Sequence, residues 1–236
     1  MASCGDTSTG APALRELAAL LQLASPALPI GAFSYSQALE AAIDAGLVSD
    51  AESARRWIAS GLDLLAGGDA VLLLRQCRAW HSHDMAAVSQ CNDTLLAWRE
   101  SSELRLETEQ MGGSLARLAQ DLQWGGPELR ARLAELKPIA LPTAYAYAAT
   151  ALGIDEVHAL TAWLYSWLEN QTAAALKAIP LGQVAGQRIL YGLREAVSQA
   201  VQRTRDCADE DISTFAPMLG VLSSRHETQY SRLFRS

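Results

Sequence analysis

Basic charge is scarce in this chain. Nineteen Lys and Arg stand against 26 Asp and Glu, which leaves −7 at neutral pH. Nucleic acids and anionic membranes are held by Lys and Arg that displace counterions, so neither is expected as the main partner. Long apolar runs are lacking too. The longest candidate, 149–168, is broken by Asp155, Glu156 and His158, whereas a membrane span needs roughly 18 apolar residues. Cysteine is sparse: four occur, at 4, 77, 91 and 207, with no CxxC among them. Reduced thiols in a cytoplasmic protein are the expectation. Residues 1–12 carry Asp6 and no basic residue, unlike a signal peptide, and read as a flexible leader rich in Ser, Thr and Gly. Alternating β-branched runs are absent, which excludes a sheet. Low-complexity linkers and internal repeats are absent as well.

What is present is helical periodicity. Half of the 236 residues are apolar, enough for a sizeable core. Leu104, Met111, Leu115, Leu118 and Leu122 mark one face of a helix, with Thr108 filling the missing turn. From Pro180 to Thr204 a second stripe runs through Ile189, Leu193, Val197 and Val201, with Pro180 suited to a first helical position. Similar segments lie near 14–24, 35–45, 50–66, 69–81, 84–98, 128–136, 143–152, 155–176 and 215–223. Ser34 with Gln37 and Ser49 with Glu52 fit capping boxes. Gly46 and Gly153 fit left-handed C-caps. Together these signals predict one all-α globular domain of roughly ten helices joined by short connections. Its body spans 13–224, followed by a distinct segment, 225–236.

Candidate chemistry is thin. Cys77 and His81 share a helix face, with His83 close behind, and such a cluster could hold Ni²⁺, Zn²⁺ or Cu²⁺. A helix end in solvent, where His is ordinary, explains them more simply. Asp155 and His158 form one Asp-x-x-His, whereas a di-metal bundle needs two such pairs; Asp155 serves better as an N-cap. Glu103, Glu107 and Glu109 alternate with Arg105 and Thr108, the pattern of a solvated or interface face rather than an acid–base pair. No G-x-S-x-G, no phosphate loop and no Cys–His nucleophile setting is found. No catalytic set, metal site or cofactor is therefore expected. Gly182 and Gly186 form a G-x-x-x-G that permits close backbone approach, either inside the fold or across a dimer seam.

The last dozen residues differ from the rest. Three Arg and one Glu give 225–236 a charge of +2, so the remainder carries −9. Arg225, His226, Gln229, Tyr230, Arg232, Leu233, Phe234 and Arg235 combine basic and aromatic side chains of the kind that anchor interfaces. Two readings of this composition stand side by side: a docking tail for another protein, or a segment folded back on its own acidic surface.

Four collinear stretches, spanning about residues 14–236, resemble the urease accessory protein UreF family. They are Leu20 to Glu40, with Pro29-Ile30-Gly31-Ala32-Phe33-Ser34 at its centre; Glu103 to Leu115; Trp167 to Arg188, with Ile179-Pro180-Leu181-Gly182-Gln183; and Phe215 to Arg235. Ala32 and Ala38 depart from the family, in which many members have Gly. Ala disfavours positive φ, so the Gly31–Ala32 turn is expected to be right-handed or extended. The resemblance implies an all-helical, dimeric, non-enzymatic maturation factor that joins UreD (also called UreH) to the GTPase UreG and helps load nickel into apo-urease in a GTP-dependent step. It also implies that the C-terminal segment becomes ordered on UreD. A competing reading is a chaperone that itself carries nickel on Cys77, His81 and His83. A third is a helical enzyme with an unrecognised pocket.

Overall fold

The computed structural model describes residues 10–236; most of the predicted leader, together with Cys4, lies outside them. The described residues form helices α1 (Gly10–Leu23), α2 (Leu39–Asp44), α3 (Ala51–Gly67), α4 (Asp69–His81), α5 (Met85–Ala97), α6 (Ser102–Asp121), α7 (Pro127–Glu135), α8 (Leu141–Ala151), α9 (Glu156–Ala178), α10 (Gln183–Gly192), α11 (Arg194–Asp206) and α12 (Pro217–His226). Two 3₁₀ turns lie at Ala32–Ser34 and Asp209–Asp211, and no strand occurs among the described residues. The all-α architecture follows.

Helix α9 runs through the centre and touches α1, α2, α3, α4, α8, α10 and α11. The Leu-rich face of α6 and the buried face of α4 clamp α8 between them. Alanines make that clamp tight: Ala144, Ala146, Ala148 and Ala149 of α8 are all buried. Close approach is forced at Gly112 of α6, where a Cβ would lie 2.3 Å from the Ile139 carbonyl oxygen. Two hydrogen bonds tie polar groups into this layer. Gln76 Nε2 donates to Thr143 Oγ1 at 2.9 Å, and Tyr147 Oη donates to the Trp124 carbonyl at 2.7 Å. Trp80 meets Tyr147 edge to face at 5.1 Å between centroids, a favoured aromatic geometry.

Local signals hold at several ends. Gly46 and Gly153 take φ of 71° and 70°, the left-handed caps that glycine adopts without penalty. Asp155 caps α9 by accepting from the amides of Val157 and His158. Pro127 opens α7.

Other ends differ from expectation. The box at α3 is Asp50 with Ser53, not Ser49 with Glu52; Asp50 is extended and its carboxylate accepts from the Ser53 amide. No box forms at Ser34, because Ser34 ends a 3₁₀ turn and Gln37 sits at φ 52°. Consequently α2 starts at Leu39 rather than near 35. Pro180 precedes a helix rather than opening one: Gly182 is the N-cap of α10. The stripe from 180 to 204 is divided at Leu193, which lies between α10 and α11 while remaining buried. Periodicity survives the break because Leu193 still faces the core.

Candidate docking site

Three glutamates from two helices build a seat for residues 226–236. Glu40 of α2 is brought inward by an unusual approach. Gln37 and Ala38 both take positive φ, at 52° and 64°, so the chain turns sharply after Ser36 and drives Leu39 and Glu40 into the interior. Glu103 and Glu107 lie one turn apart on α6 and face the same side. The alternation of charges on α6 suggested a solvated or interface face. Glu107 and Glu103 instead point into the molecule, while Glu109 alone pairs outward with Arg105.

The C-terminal segment fills this seat. His226 is fully buried between two carboxylates, with Nδ1 at 2.7 Å from Glu103 Oε2 and Nε2 at 3.1 Å from Glu40 Oε2. Arg232 Nη1 donates to the other oxygen of Glu103 at 2.6 Å. Glu40 accepts two backbone amides, from Leu233 at 2.7 Å and from Phe234 at 3.0 Å. The Phe234 ring is buried beneath Lys177 of α9, whose Nζ stands 4.4 Å from the ring centroid and donates to the Leu233 carbonyl. The segment then pairs with the 34–36 strip: the Arg235 amide donates to Ser34 O, and the Ser36 amide to Ser236 O, both at 2.8 Å. Ser236 Oγ donates to Glu107 Oε2 at 2.5 Å, and Gln37 Nε2 donates to Glu107 Oε1 at 2.7 Å. Burial pushes the Glu107 carboxyl above the ordinary carboxylate range, with the two hydrogen bonds opposing. Burial likewise raises the Tyr35 phenol, with the neighbouring Arg235 pulling the other way.

This arrangement divides the eight candidate tail residues. His226 and Phe234 are buried, and Arg232 is bound to Glu103. Tyr230, Leu233, Arg225 and Arg235 remain exposed, Tyr230 entirely so, with Gln229 intermediate. The segment thus folds back on acidic side chains and still displays a basic and aromatic outer surface. The family resemblance implied ordering on a partner; here the segment is seated by contacts within the chain, because the acidic groups that hold it are its own. Sequence reasoning missed Glu40 as the main acceptor. The only signal was the excess of negative charge on the body.

Gly182 and Gly186 separate as well. A Cβ at Gly186 would meet Leu176 of α9 at 2.6 Å, whereas nothing lies within 4 Å of one at Gly182. Within the chain, the close approach falls at Gly186, and Gly182 faces open space. Cys77 is buried in the core, with its thiol pushed up to about 12 by burial. His81 and His83 are exposed at the end of α4. Among the described residues, no three His, Cys, Asp or Glu side chains converge as metal ligands. Nor is any single described helix long and apolar enough to cross a membrane.

A comparison with family profiles decides the lineage: that of UreF matches residues 48–194, more than half of the chain. This chain belongs to the UreF family. UreF proteins are accessory proteins of urease maturation, not catalysts of a reaction of their own. The match runs from just before α3 to the start of α11 and includes Glu103, Glu107 and Lys177 of the seat. Glu40 and the C-terminal segment lie outside it.

Proposed function

We propose that this urease accessory protein is a cytoplasmic scaffold that bridges UreD (UreH) and the GTPase UreG during GTP-dependent nickel insertion into apo-urease. The observation that supports this is the two-sided C-terminal segment. Its inner side, His226, Arg232 and Phe234, is held by Glu40, Glu103 and Lys177. Its outer side offers Tyr230, Leu233, Arg225 and Arg235 to a partner. A segment already seated loses little further conformational freedom on binding, so more of each contact appears as affinity. Large amphipathic side chains supply that affinity. UreD takes this outer surface. A two-fold homodimer of the scaffold then presents a composite face to UreG, because symmetric partners match symmetric surfaces. The scaffold acts on UreG through differential affinity for its conformations.

The alternative of a nickel carrier using Cys77, His81 and His83 finds less support. The Cys77 thiol is buried and resists ionisation, and a metal ligand must be a thiolate. Replacing Tyr230 and Leu233 together by Ser tests the docking reading. Both are exposed, so the fold and the seat remain. Capture of UreD by the tagged protein is expected to fall by at least about tenfold, the scale of one or two anchors. Undiminished capture would assign the segment a purely structural role.

A further inference from the structure

Away from the outer face of the tail lies a cleft of about 710 Å³, within the range of binding sites. Four of the six tryptophans line it: Trp57 of α3, Trp98 after α5, and Trp163 and Trp167 of α9. Phe33 and Met218 on the lining are 74% and 61% exposed, and Phe215 beside it is 79% exposed. The aromatic interior thus runs out to an apolar lip in water.

The lining is also acidic. Asp63, Asp69, Glu100, Glu107 and Glu169 belong to it, and Arg99 is the one basic residue among its described residues. Three of the five carboxylates are answered within the fold. Asp63 pairs with Arg203, Asp69 with Arg99, and Glu107 accepts from Ser236 and Gln37. The other two meet no cation among the described residues. Glu100 accepts the Ala216 amide at 3.1 Å. Glu169, on the central helix α9 and half-buried, has neither a hydrogen bond nor an ion pair there, and burial pushes its carboxyl up with nothing opposing.

These features select a cation. A carboxylate drawn out of water is favoured by an opposite charge beside it. Tryptophan faces attract the same cations through the ring quadrupole. An anion would be repelled by this wall, and an uncharged guest would leave Glu169 without a counter-ion. The lip adds a second requirement. A small cation would leave Phe33, Met218 and Phe215 in water, whereas a polypeptide lying across them covers them.

We infer that the cleft receives a segment of a partner protein that carries a Lys or Arg between apolar side chains, with the cationic head at Glu169 and the apolar neighbours on the tryptophans and the lip. Glu100 adds negative potential beside the lip. This goes beyond the tail's docking role and does not rest on it: cleft binding is read on the isolated chain, and tail docking on capture of UreD.

The test titrates the full chain with N-acetyl-Leu-Arg-Phe-Leu-amide and with the same peptide bearing citrulline for Arg, which keeps the shape and removes the charge. A saturable change in tryptophan emission is expected with the first, and at least tenfold weaker binding of the second. Glu169→Gln should bring the two peptides within about twofold of each other without lowering the thermal midpoint, since it removes a carboxylate that burial disfavours. Phe33→Ser with Met218→Ser, exposed positions that keep the helical circular dichroism, should weaken the Arg peptide at least fivefold. The inference is overturned if neither peptide saturates, if the citrulline peptide binds equally, or if Glu169→Gln keeps the preference for Arg or lowers the midpoint. It is also overturned if ethylguanidinium alone binds as tightly, which would make the cleft a small-molecule site, or if the lip variant turns a dimer into a monomer in sedimentation, which would make the occupant a second copy.

Discussion

Ala38 carries the sharpest local conflict in the chain. It takes φ 64° while fully buried, a conformation that costs an L-residue roughly 1–2 kcal/mol. Glycine there would relieve that cost but lose a buried methyl, worth about 0.8 kcal/mol, and loosen the unfolded chain. Ala38→Gly is therefore expected within about 1 kcal/mol of neutral, whereas Ala42→Gly, on the regular helix α2, should cost clearly more. Chemical denaturation of both variants checks the contrast; equal losses would mean Ala38 is unstrained. The sequence could flag this site only through a resemblance in which glycine is usual. Gly46, Gly153 and Asp155 were legible because their roles are fixed within one turn. Gln37 was not, since what sets its backbone is the pull of Gln37 on Glu107 and of Trp167 on Gln37, contacts distant in sequence.

Glu107 gives a pH prediction. Its folded value is raised above the ordinary 4.5 by burial, so the folded state binds the proton more tightly than the unfolded one. Its contribution is fully favourable below 4.5 and is lost as pH rises through the folded value. Glu107→Gln stays uncharged throughout. The thermal midpoint of the variant relative to the parent should therefore rise as the pH is raised above 4.5. A difference that is flat or falls with pH would show that the carboxylate is the form the fold prefers.

At the scale of elements, periodicity was the readable signal. Met111 and Leu115 of α6 face inward as expected, whereas Leu122, the last member of the expected stripe, is 49% exposed. What periodicity could not reveal is which charged residues turn inward, because Glu103 and Glu107 are paid for by the tail, more than a hundred residues away. The break at Leu193 was equally hidden, since the stripe continues across it. The tail as an element depends most on Glu40, which accepts two backbone amides and faces His226. Glu40→Gln keeps the shape but turns an N–H toward a donor. Losing charge-assisted bonds of about 1.5–3 kcal/mol should raise the undocked population about tenfold or more. Tryptic cleavage after Arg232 is expected to accelerate accordingly, with helical circular dichroism unchanged. An unaltered cleavage rate would place the hold on the segment elsewhere.

At the scale of the whole molecule, the division of labour is between a helical body and a basic segment laid on its acidic seat. Charge asymmetry made that division visible in the sequence, +2 against −9. The two-sidedness of the segment was not visible, because composition cannot say which face of a non-helical stretch is turned inward. Neither could the cleft be anticipated, as its tryptophans come from α3, α9 and the end of α5. The family assignment fixes a role in urease maturation, and the exposed side of 225–236 is where the account locates the grip on UreD.

The most direct measurement is co-purification of UreD with the tagged chain, whole and lacking 225–236, alongside circular dichroism of each. The account predicts that the whole chain retains UreD and the shortened one does not, with both helical. A shortened chain that is helical and still retains UreD in the same proportion would contradict it.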